Sequence, residues 1–186
     1  MTLFTSKREK KLWLWAFVVF LGIFATLFFG QPLADLFSSQ DLRAIIFVLV
    51  MILVGITILV HALKTKPSRN ELTLWIGLLA VYTMFILRLG MAERTHLMEY
   101  SVLAIFIHSA FMERVDQGKQ IRFPALTALV STFLIGVLDE CIQIFLPNRY
   151  FDPEDIIFNC MAATMAIGSS MILNWARMRR KNSKLK

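Results

Sequence analysis

Long apolar runs separated by short polar segments form the pattern of this chain. A helix needs about 20 residues to cross about 30 Å of hydrocarbon. Six runs approach this length, namely Leu12–Phe29, Ala44–Leu63, Leu72–Leu89, Leu97–Met112, Phe123–Leu146 and Ile156–Ala176. None alternates apolar and polar residues as barrel strands do. The pattern therefore predicts an all-α fold, a polytopic transmembrane helical bundle of about six spans.

The fourth run is the shortest, and it is the least apolar. Four polar residues lie in or beside it, namely His96, Glu99, His108 and Glu113. A re-entrant segment is therefore the alternative for this run.

Composition agrees with a membrane protein. Hydrophobic residues make up 57% of the chain and charged residues 18%, with a mean hydropathy of +0.63. This is more apolar material than a soluble core needs and too little charge for a soluble surface. We see no linker or internal repeat, so residues 1–186 are predicted to form a single membrane domain whose main partner is the lipid bilayer.

The distribution of basic residues predicts the orientation of the spans. Of the 20 Lys and Arg residues, 16 lie in the two termini and the second and fourth loops, and four lie on the other side. Those four are Arg43, Arg88, Arg94 and Arg149. Because cytoplasmic loops are rich in Lys and Arg, both termini are predicted to be cytoplasmic in a multi-pass protein of the cytoplasmic (inner) membrane. Basic residues placed at the ends of apolar runs do not indicate a nucleic-acid partner.

Polar residues gather at the predicted outer ends of four spans. Ionisable groups at membrane depth are costly and tend to be functional or paired. The third and fourth spans contribute Arg88, Glu93, Arg94, His96 and Glu99, and the fifth and sixth contribute Asp139, Glu140, Gln143, Arg149, Asp152, Asp155 and Asn159. His96, Glu99 and Tyr100 share one helical face by their spacing, as do Asp139 and Gln143. We therefore predict one polar cup at this end of the bundle.

Several of these residues also have a purely structural interpretation. Asp152 before Pro153 has the pattern of a helix N-cap. Asp139 and Glu140 lie near a helix end where the dipole disfavours negative charge, so they need a cation, which an arginine, a protonated His96 or a metal could supply. A salt-bridge network that only fixes helix packing is an equal alternative.

A metal site and a disulfide are both considered and not assigned. His96, Glu99, Asp139 and Glu140 offer ligand types that suit divalent ions. A His-x-x-Glu pattern is common by chance, however, and the sequence does not fix the distance between the helices. We therefore predict no metal and no cofactor. The two cysteines, Cys141 and Cys160, are interpreted as small apolar residues, and a disulfide between them is left open.

Two segments resemble the VanZ-like family. Glu93-Arg94-Thr95-His96-Leu97-Met98-Glu99-Tyr100 resembles its first motif, and Asp139-Glu140-Cys141-Ile142-Gln143-Ile144-Phe145-Leu146-Pro147-Asn148-Arg149, followed by Asp152, Asp155 and Asn159, resembles its second. The matching region covers about residues 93–168. The resemblance implies a small polytopic protein of the bacterial cell envelope, in a family named for an association with teicoplanin resistance and with a poorly defined activity. The family often has a histidine where this chain has Ile142, which weakens any site built on two histidines.

Three hypotheses for function follow from this pattern. In the first, the cup binds a charged lipid or glycan-precursor headgroup, with Arg88, Arg94 and Arg149 as donors, since the arginine fork suits phosphate. In the second, a membrane enzyme acts on an envelope lipid with His96 or Glu140 as general base, although no nucleophile motif accompanies them. In the third, the chain is a structural or assembly protein. Catalysis, the ligand and the oligomeric state are left open.

Overall fold

The computed structural model describes residues 4–36, 45, 49, 52, 67–147 and 149–183, and the side chains of all these except 29–36, 91–93 and 180–183. The described residues form helices joined by short connections. The helices are α1 (Lys7–Leu36), α2 (Arg69–Arg88), α3 (Met91–Asp116), α4 (Pro124–Gln143) and α5 (Pro153–Ser183). The all-α prediction is confirmed for this part of the chain. The second predicted span lies outside the described residues, apart from residues 45, 49 and 52, which are helical.

Four of the described helices are long and apolar enough to cross a membrane. The apolar stretches are Lys7–Phe28, Arg69–Arg88, Pro124–Gln143 and Pro153–Arg179. The chain is therefore a multi-pass membrane protein, whereas six spans and a cytoplasmic position for both termini stay predictions. The fourth predicted span lies within α3, whose 26 residues reach about 39 Å at 1.5 Å per residue, although α3 is not among the helices apolar enough to cross.

Side-chain caps account for where three helices begin. Ser6 accepts a hydrogen bond from the Glu9 backbone N–H at 2.9 Å, while the Glu9 carboxylate accepts one from the Thr5 N–H at 2.6 Å. This reciprocal arrangement resembles a capping box. Ser68 accepts from the Glu71 N–H at the start of α2, and the Asp152 carboxylate accepts from the Glu154 N–H at 2.8 Å. The capping role predicted for Asp152 is confirmed.

Helix α3 occupies the centre of the bundle and packs against α1, α4 and α5. This position explains its polar composition, because a helix surrounded by other helices meets little lipid.

Small residues bring α5 close to α3: Ala162 and Ala166 are fully buried, and the Ser101 hydroxyl donates to the Ala162 carbonyl at 3.3 Å. Small residues at the contact face let transmembrane helices approach closely, and the spacing of Ala162, Ala166 and Ser170 places such residues on one face of α5.

Ion pairs join the helices at the end of the bundle where α1 begins and α3 ends. Arg114 on α3 lies 2.8 Å from the carboxylate of Glu9 on α1, and Arg8 lies 3.2 Å from Glu113. Two further helices are joined at this end by Arg177 on α5 and Glu71 on α2, at 2.8 Å. We call this the ion-pair end. These pairs were not predictable from the sequence, because each joins residues about 100 positions apart.

Arg114 should matter more for stability than Arg8, although both form ion pairs at this end. Glu9 is fully buried and its partner Arg114 is one-third exposed, whereas the Arg8 side chain is 76% exposed. Replacing Arg114 with glutamine leaves the Glu9 carboxylate buried without its cation, so we expect a loss of about 1–3 kcal/mol. The matched change Arg8→Gln should cost less than about 0.5 kcal/mol, because exposed pairs contribute little.

Thermal unfolding of both variants in the same detergent measures this difference. Equal losses for the two variants would show that the Glu9–Arg114 pair does not hold α1 against α3.

Candidate functional site at one end of the bundle

A group of polar side chains lies at the opposite end of the bundle from the ion-pair end. It forms where α3 begins, α4 ends and α5 begins, and α1 passes beside it. We call this group the polar cluster, and its members are His96, Glu99, Tyr100, Asp139, Glu140, Gln143, Arg149, Asp152, Asp155 and Asn159. Helix α3 begins at Met91 and α5 at Pro153, so their first turns lie at the level of the last turn of α4.

The deepest contact in the polar cluster joins α3 to α4. The Tyr100 hydroxyl donates a hydrogen bond to Asp139 Oδ2 at 3.0 Å, and both side chains are buried, with at most 1% exposed. Asp139 Oδ1 is also buried, and it has no hydrogen-bond partner among the described residues. A buried carboxylate oxygen without a donor is costly, so Asp139 has unused capacity to accept a hydrogen bond or bind a cation.

Glu140 connects the end of α4 to the start of α5. Its Oε1 accepts from the Gln143 side-chain amide at 2.7 Å, and its Oε2 accepts from the Asp152 backbone N–H at 3.1 Å. Glu140 is fully buried. Because both oxygens are held, the carboxylate has a fixed orientation, and the N-cap residue of α5 is fixed with it.

His96 and Asp155 form the partly exposed part of the polar cluster. His96 Nε2 lies 3.5 Å from Asp155 Oδ2, with 12% and 20% of the two side chains exposed. The imidazole also lies roughly parallel to the Tyr100 ring, with 6.1 Å between the ring centres. One ligand atom each from His96, Glu140 and Asp155 lie within 4.8 Å of one another. Three different helices thus bring an imidazole and two carboxylates together.

Helix α1 closes one side of the polar cluster. Arg149 Nη2 donates to the Thr26 carbonyl at 3.5 Å, while the Thr26 hydroxyl donates to the Ile23 carbonyl at 2.7 Å. Arg149 Nε is buried and lacks a hydrogen-bond partner within the part of the chain that the structure describes. The Arg149 guanidinium therefore has a donor in the polar cluster that is available to a ligand.

Asn159 is the polar residue whose bonding is least satisfied. It lies on α5 one turn after Asp155, and it is 1% exposed. In the described residues, neither its Nδ2 nor its Oδ1 has a hydrogen-bond partner. Buried amides in folded proteins are almost always bonded, so this side chain is suited to a group that is not part of the protein.

The close approach of α4, α5 and α3 around Asn159 depends on a glycine. A Cβ atom added at Gly136 would lie 3.2 Å from both Asn159 Cβ and Asn159 Nδ2, and 3.4 Å from Tyr100 Cε1. Any larger side chain at this position would push against the two polar residues. A glycine at position 136 therefore allows this close packing, which sequence reasoning did not identify.

The structure does not bring every predicted site residue together. Arg88 is exposed at the end of α2, and Arg94 Nε donates to the Leu89 carbonyl at 2.8 Å. The side chain of Glu93 lies outside the described residues. Arg149 is a predicted arginine donor that lies within electrostatic range of Glu99 and Asp139 in the polar cluster.

Sequence reasoning also missed two contributors to the polar cluster. Tyr100 was recognised as sharing a face with His96 but was not counted among the candidate site residues. Its spacing of four residues from His96 was the signal. Thr26 lies in the middle of an apolar run, and nothing in its local sequence distinguishes it from a packing residue.

Negative charge outweighs positive charge in the polar cluster. The carboxylates are Glu99, Asp139, Glu140, Asp152 and Asp155, and they face the guanidinium of Arg149 and the imidazole of His96. Carboxylates this close repel one another unless a proton or a cation lies between them. The arrangement is therefore suited to bind a cation, an amine or the hydroxyl groups of a sugar.

The two cysteines lie near the polar cluster without joining it. Both are free thiols, Cys141 on an exposed face of α4 and Cys160 partly buried on α5. Among the described helices, Cys141 therefore contributes little to packing, whereas Cys160 is partly buried.

Comparison with known proteins identifies one family. The profile of the family described as VanZ/LLP1 matches residues 12–174. This range includes every residue of the polar cluster and most of the chain. No curated protein gives a significant match, and neither does any solved structure.

Proposed function

Because the chain belongs to the VanZ/LLP1 family and is a multi-pass membrane protein, we propose that it binds the polar headgroup of an envelope lipid or lipid-linked glycan precursor. The headgroup would occupy the polar cluster. Because the side of the chain that holds the polar cluster has few Lys and Arg residues, the polar cluster would face the outer side of the cytoplasmic membrane.

The unsatisfied amide of Asn159 is the observation that carries this proposal. A network that only fixes helix packing would pair its buried polar groups with one another. Asn159, Asp139 Oδ1 and Arg149 Nε are instead buried without a hydrogen-bond partner within the described residues. These groups supply donors and acceptors together, as a headgroup with both phosphate and hydroxyl or amine groups requires.

The distribution of charge indicates which part of the headgroup each residue would bind. Arg149 would donate to a phosphate oxygen, because its guanidinium is the cation in the polar cluster that has spare donors. Asp139 and Asn159 would bind hydroxyl or amine groups farther inside the bundle. This assignment moves the main contribution from the arginines, which the sequence favoured, to the carboxylates.

Access to the polar cluster would be from the side that His96 and Asp155 occupy. These two side chains are partly exposed, whereas Asp139, Glu140 and Asn159 are buried. Tyr150 and Phe151, in the loop before α5, are exposed aromatic residues beside this opening. Exposed aromatic rings at a helix end suit the membrane interface, where a lipid headgroup lies.

Lipid retention by the purified chain tests the proposal. The wild-type chain and the variants Arg149→Gln and Asp139→Asn are placed in nanodiscs that contain phosphatidylethanolamine, phosphatidylglycerol or a polyprenyl phosphate. Retained lipid is then measured by mass spectrometry after detergent washing. We expect at least one lipid class to be retained by the wild-type chain and to fall at least about tenfold in both variants, which corresponds to about 1.4 kcal/mol.

Arg122→Gln is the matched control, because Arg122 is an exposed arginine away from the polar cluster. It should retain lipid as the wild-type chain does. Unchanged retention in Arg149→Gln and Asp139→Asn would end the proposal. If those variants lose thermal stability without any change in retention, a purely structural network is the better account, and a modified lipid recovered from the wild-type chain would indicate an enzyme instead.

A further inference from the structure

We infer that His96, Glu140 and Asp155 form a binding site for a divalent transition-metal ion. The sequence did not lead to this site, because it left the distance between helices α3, α4 and α5 undetermined. The inference does not depend on headgroup binding, since it concerns an ion that the chain would hold with or without a lipid.

The positions of the ligand atoms are the first observation. One atom from each of the three residues lies within 4.8 Å of the other two. Ligands about 2.1 Å from a tetrahedral ion are about 3.4 Å apart, and His96 Nε2 and Asp155 Oδ2 are already 3.5 Å apart. The ligand atoms would need to approach one another by at most about 1.4 Å, which small rotations of the partly exposed His96 and Asp155 side chains around the fixed Glu140 would achieve.

Fixation of the ligands by their neighbours is the second observation. Metal-binding side chains are usually oriented by hydrogen bonds from an outer layer of residues. Glu140 has this support from the Gln143 amide and the Asp152 backbone N–H. The Tyr100 ring lies beside the His96 ring, and His96 Nδ1 has no hydrogen-bond partner among the described residues, so Glu140 is the ligand that has this support.

Unused buried polar groups next to the three ligands are the third observation. Asp139 is 99% buried, its Oδ1 has no hydrogen-bond partner in the described part of the chain, and its charge interacts with both His96 and Asp155. Asn159 lies one turn from Asp155 on the same helix, so the two side chains share a face. An ion held by His96, Glu140 and Asp155 would offset the repulsion among the carboxylates and give Asp139 a cation to face.

The donor set indicates which kind of ion fits. One imidazole with two carboxylates suits zinc, manganese or iron in the divalent state. Calcium and magnesium prefer oxygen ligands alone and more of them. With three protein ligands, such an ion would keep a coordination position for water or for another oxygen ligand.

Metal content of the purified chain tests this inference. The chain is treated with a chelator, dialysed against micromolar Zn²⁺ or Mn²⁺ in detergent without added envelope lipid, and analysed by elemental mass spectrometry. We expect about one ion per chain for the wild type and at least about tenfold weaker binding for His96→Gln and Asp155→Asn. Mn²⁺ bound to the wild-type chain should also give an electron paramagnetic resonance spectrum different from that of the free ion.

Two control variants distinguish the loss of a metal ligand from a general effect of replacing a histidine or a carboxylate. His108→Gln alters a buried histidine on the same helix as His96, and Glu154→Gln removes an exposed carboxylate beside Asp155. Both should bind the ion as the wild-type chain does. Asp155→Asn preserves the shape of a partly exposed side chain, so it should fold even if His96→Gln does not.

Two results would overturn the site. The first is a wild-type chain that retains less than about 0.2 ion per chain, far below the one ion per chain that a specific metal site would hold. The second is a His96→Gln, Asp155→Asn double variant that retains as much metal as the wild type. Because no envelope lipid is added, either result leaves the headgroup proposal to its own test.

Discussion

Replacing Asn159 with leucine is expected to raise the thermal stability of the ligand-free chain and to abolish headgroup retention. The Asn159 amide is 1% exposed and has no hydrogen-bond partner among the described residues. Removal of this unsatisfied amide should therefore raise the free energy of unfolding by about 1–3 kcal/mol, the usual cost of a buried unsatisfied polar group. Leucine has nearly the same shape, so little new strain is expected.

Thermal unfolding of the delipidated chain and lipid retention are both measured for this variant. Asn174→Leu is the matched control, because Asn174 is an exposed residue on the same helix, and it should change the free energy of unfolding by less than about 0.5 kcal/mol. A loss of stability in Asn159→Leu would mean that the amide is bonded in the ligand-free chain. The argument that it is held ready for a ligand would then fail.

Replacing Gly136 with valine is expected to lower the free energy of unfolding by about 1–3 kcal/mol, the usual cost of overpacking a core. The first atom of any side chain there would lie 3.2 Å from Asn159 and 3.4 Å from Tyr100. Valine adds two further methyl groups that must displace these neighbours or separate α4 from α5. The change should therefore also reduce lipid retention.

Gly77→Val makes the same substitution where a Cβ has no neighbour within 4 Å. Both positions are inside helices, so the effect of valine on helix propensity is shared, and the difference between the two variants measures the packing at Gly136. If both variants unfold at the same temperature, the close approach of α4 and α5 is not what holds the polar cluster together.

The residues that share a helical face were predictable from the sequence, because the helical period determines them. The common face of His96 and Tyr100, the cap at Asp152 and the small residues Ala162 and Ala166 all follow from spacing alone. Each of these local arrangements is present in the structure. Family membership was likewise recognisable from two motifs at the ends of three helices.

Distances between helices were not predictable, because one sequence contains no information about how far apart two faces lie. The contact between Tyr100 and Asp139 and the approach of His96 to Asp155 both depend on that distance. The role of Arg94 could not be predicted for a related reason. Its guanidinium donates to a carbonyl five residues away, and a flexible side chain at a helix start reaches backbone and ligand equally well.

The two ends of the bundle should respond to different conditions. At the ion-pair end, Arg8 and Arg177 are substantially exposed, so dissolved salt screens their attraction to Glu113 and Glu71. The polar cluster is buried and is screened much less. Raising the ionic strength should thus weaken the Arg8 and Arg177 pairs at one end of the bundle while it leaves the contacts of the polar cluster at the other end almost unchanged.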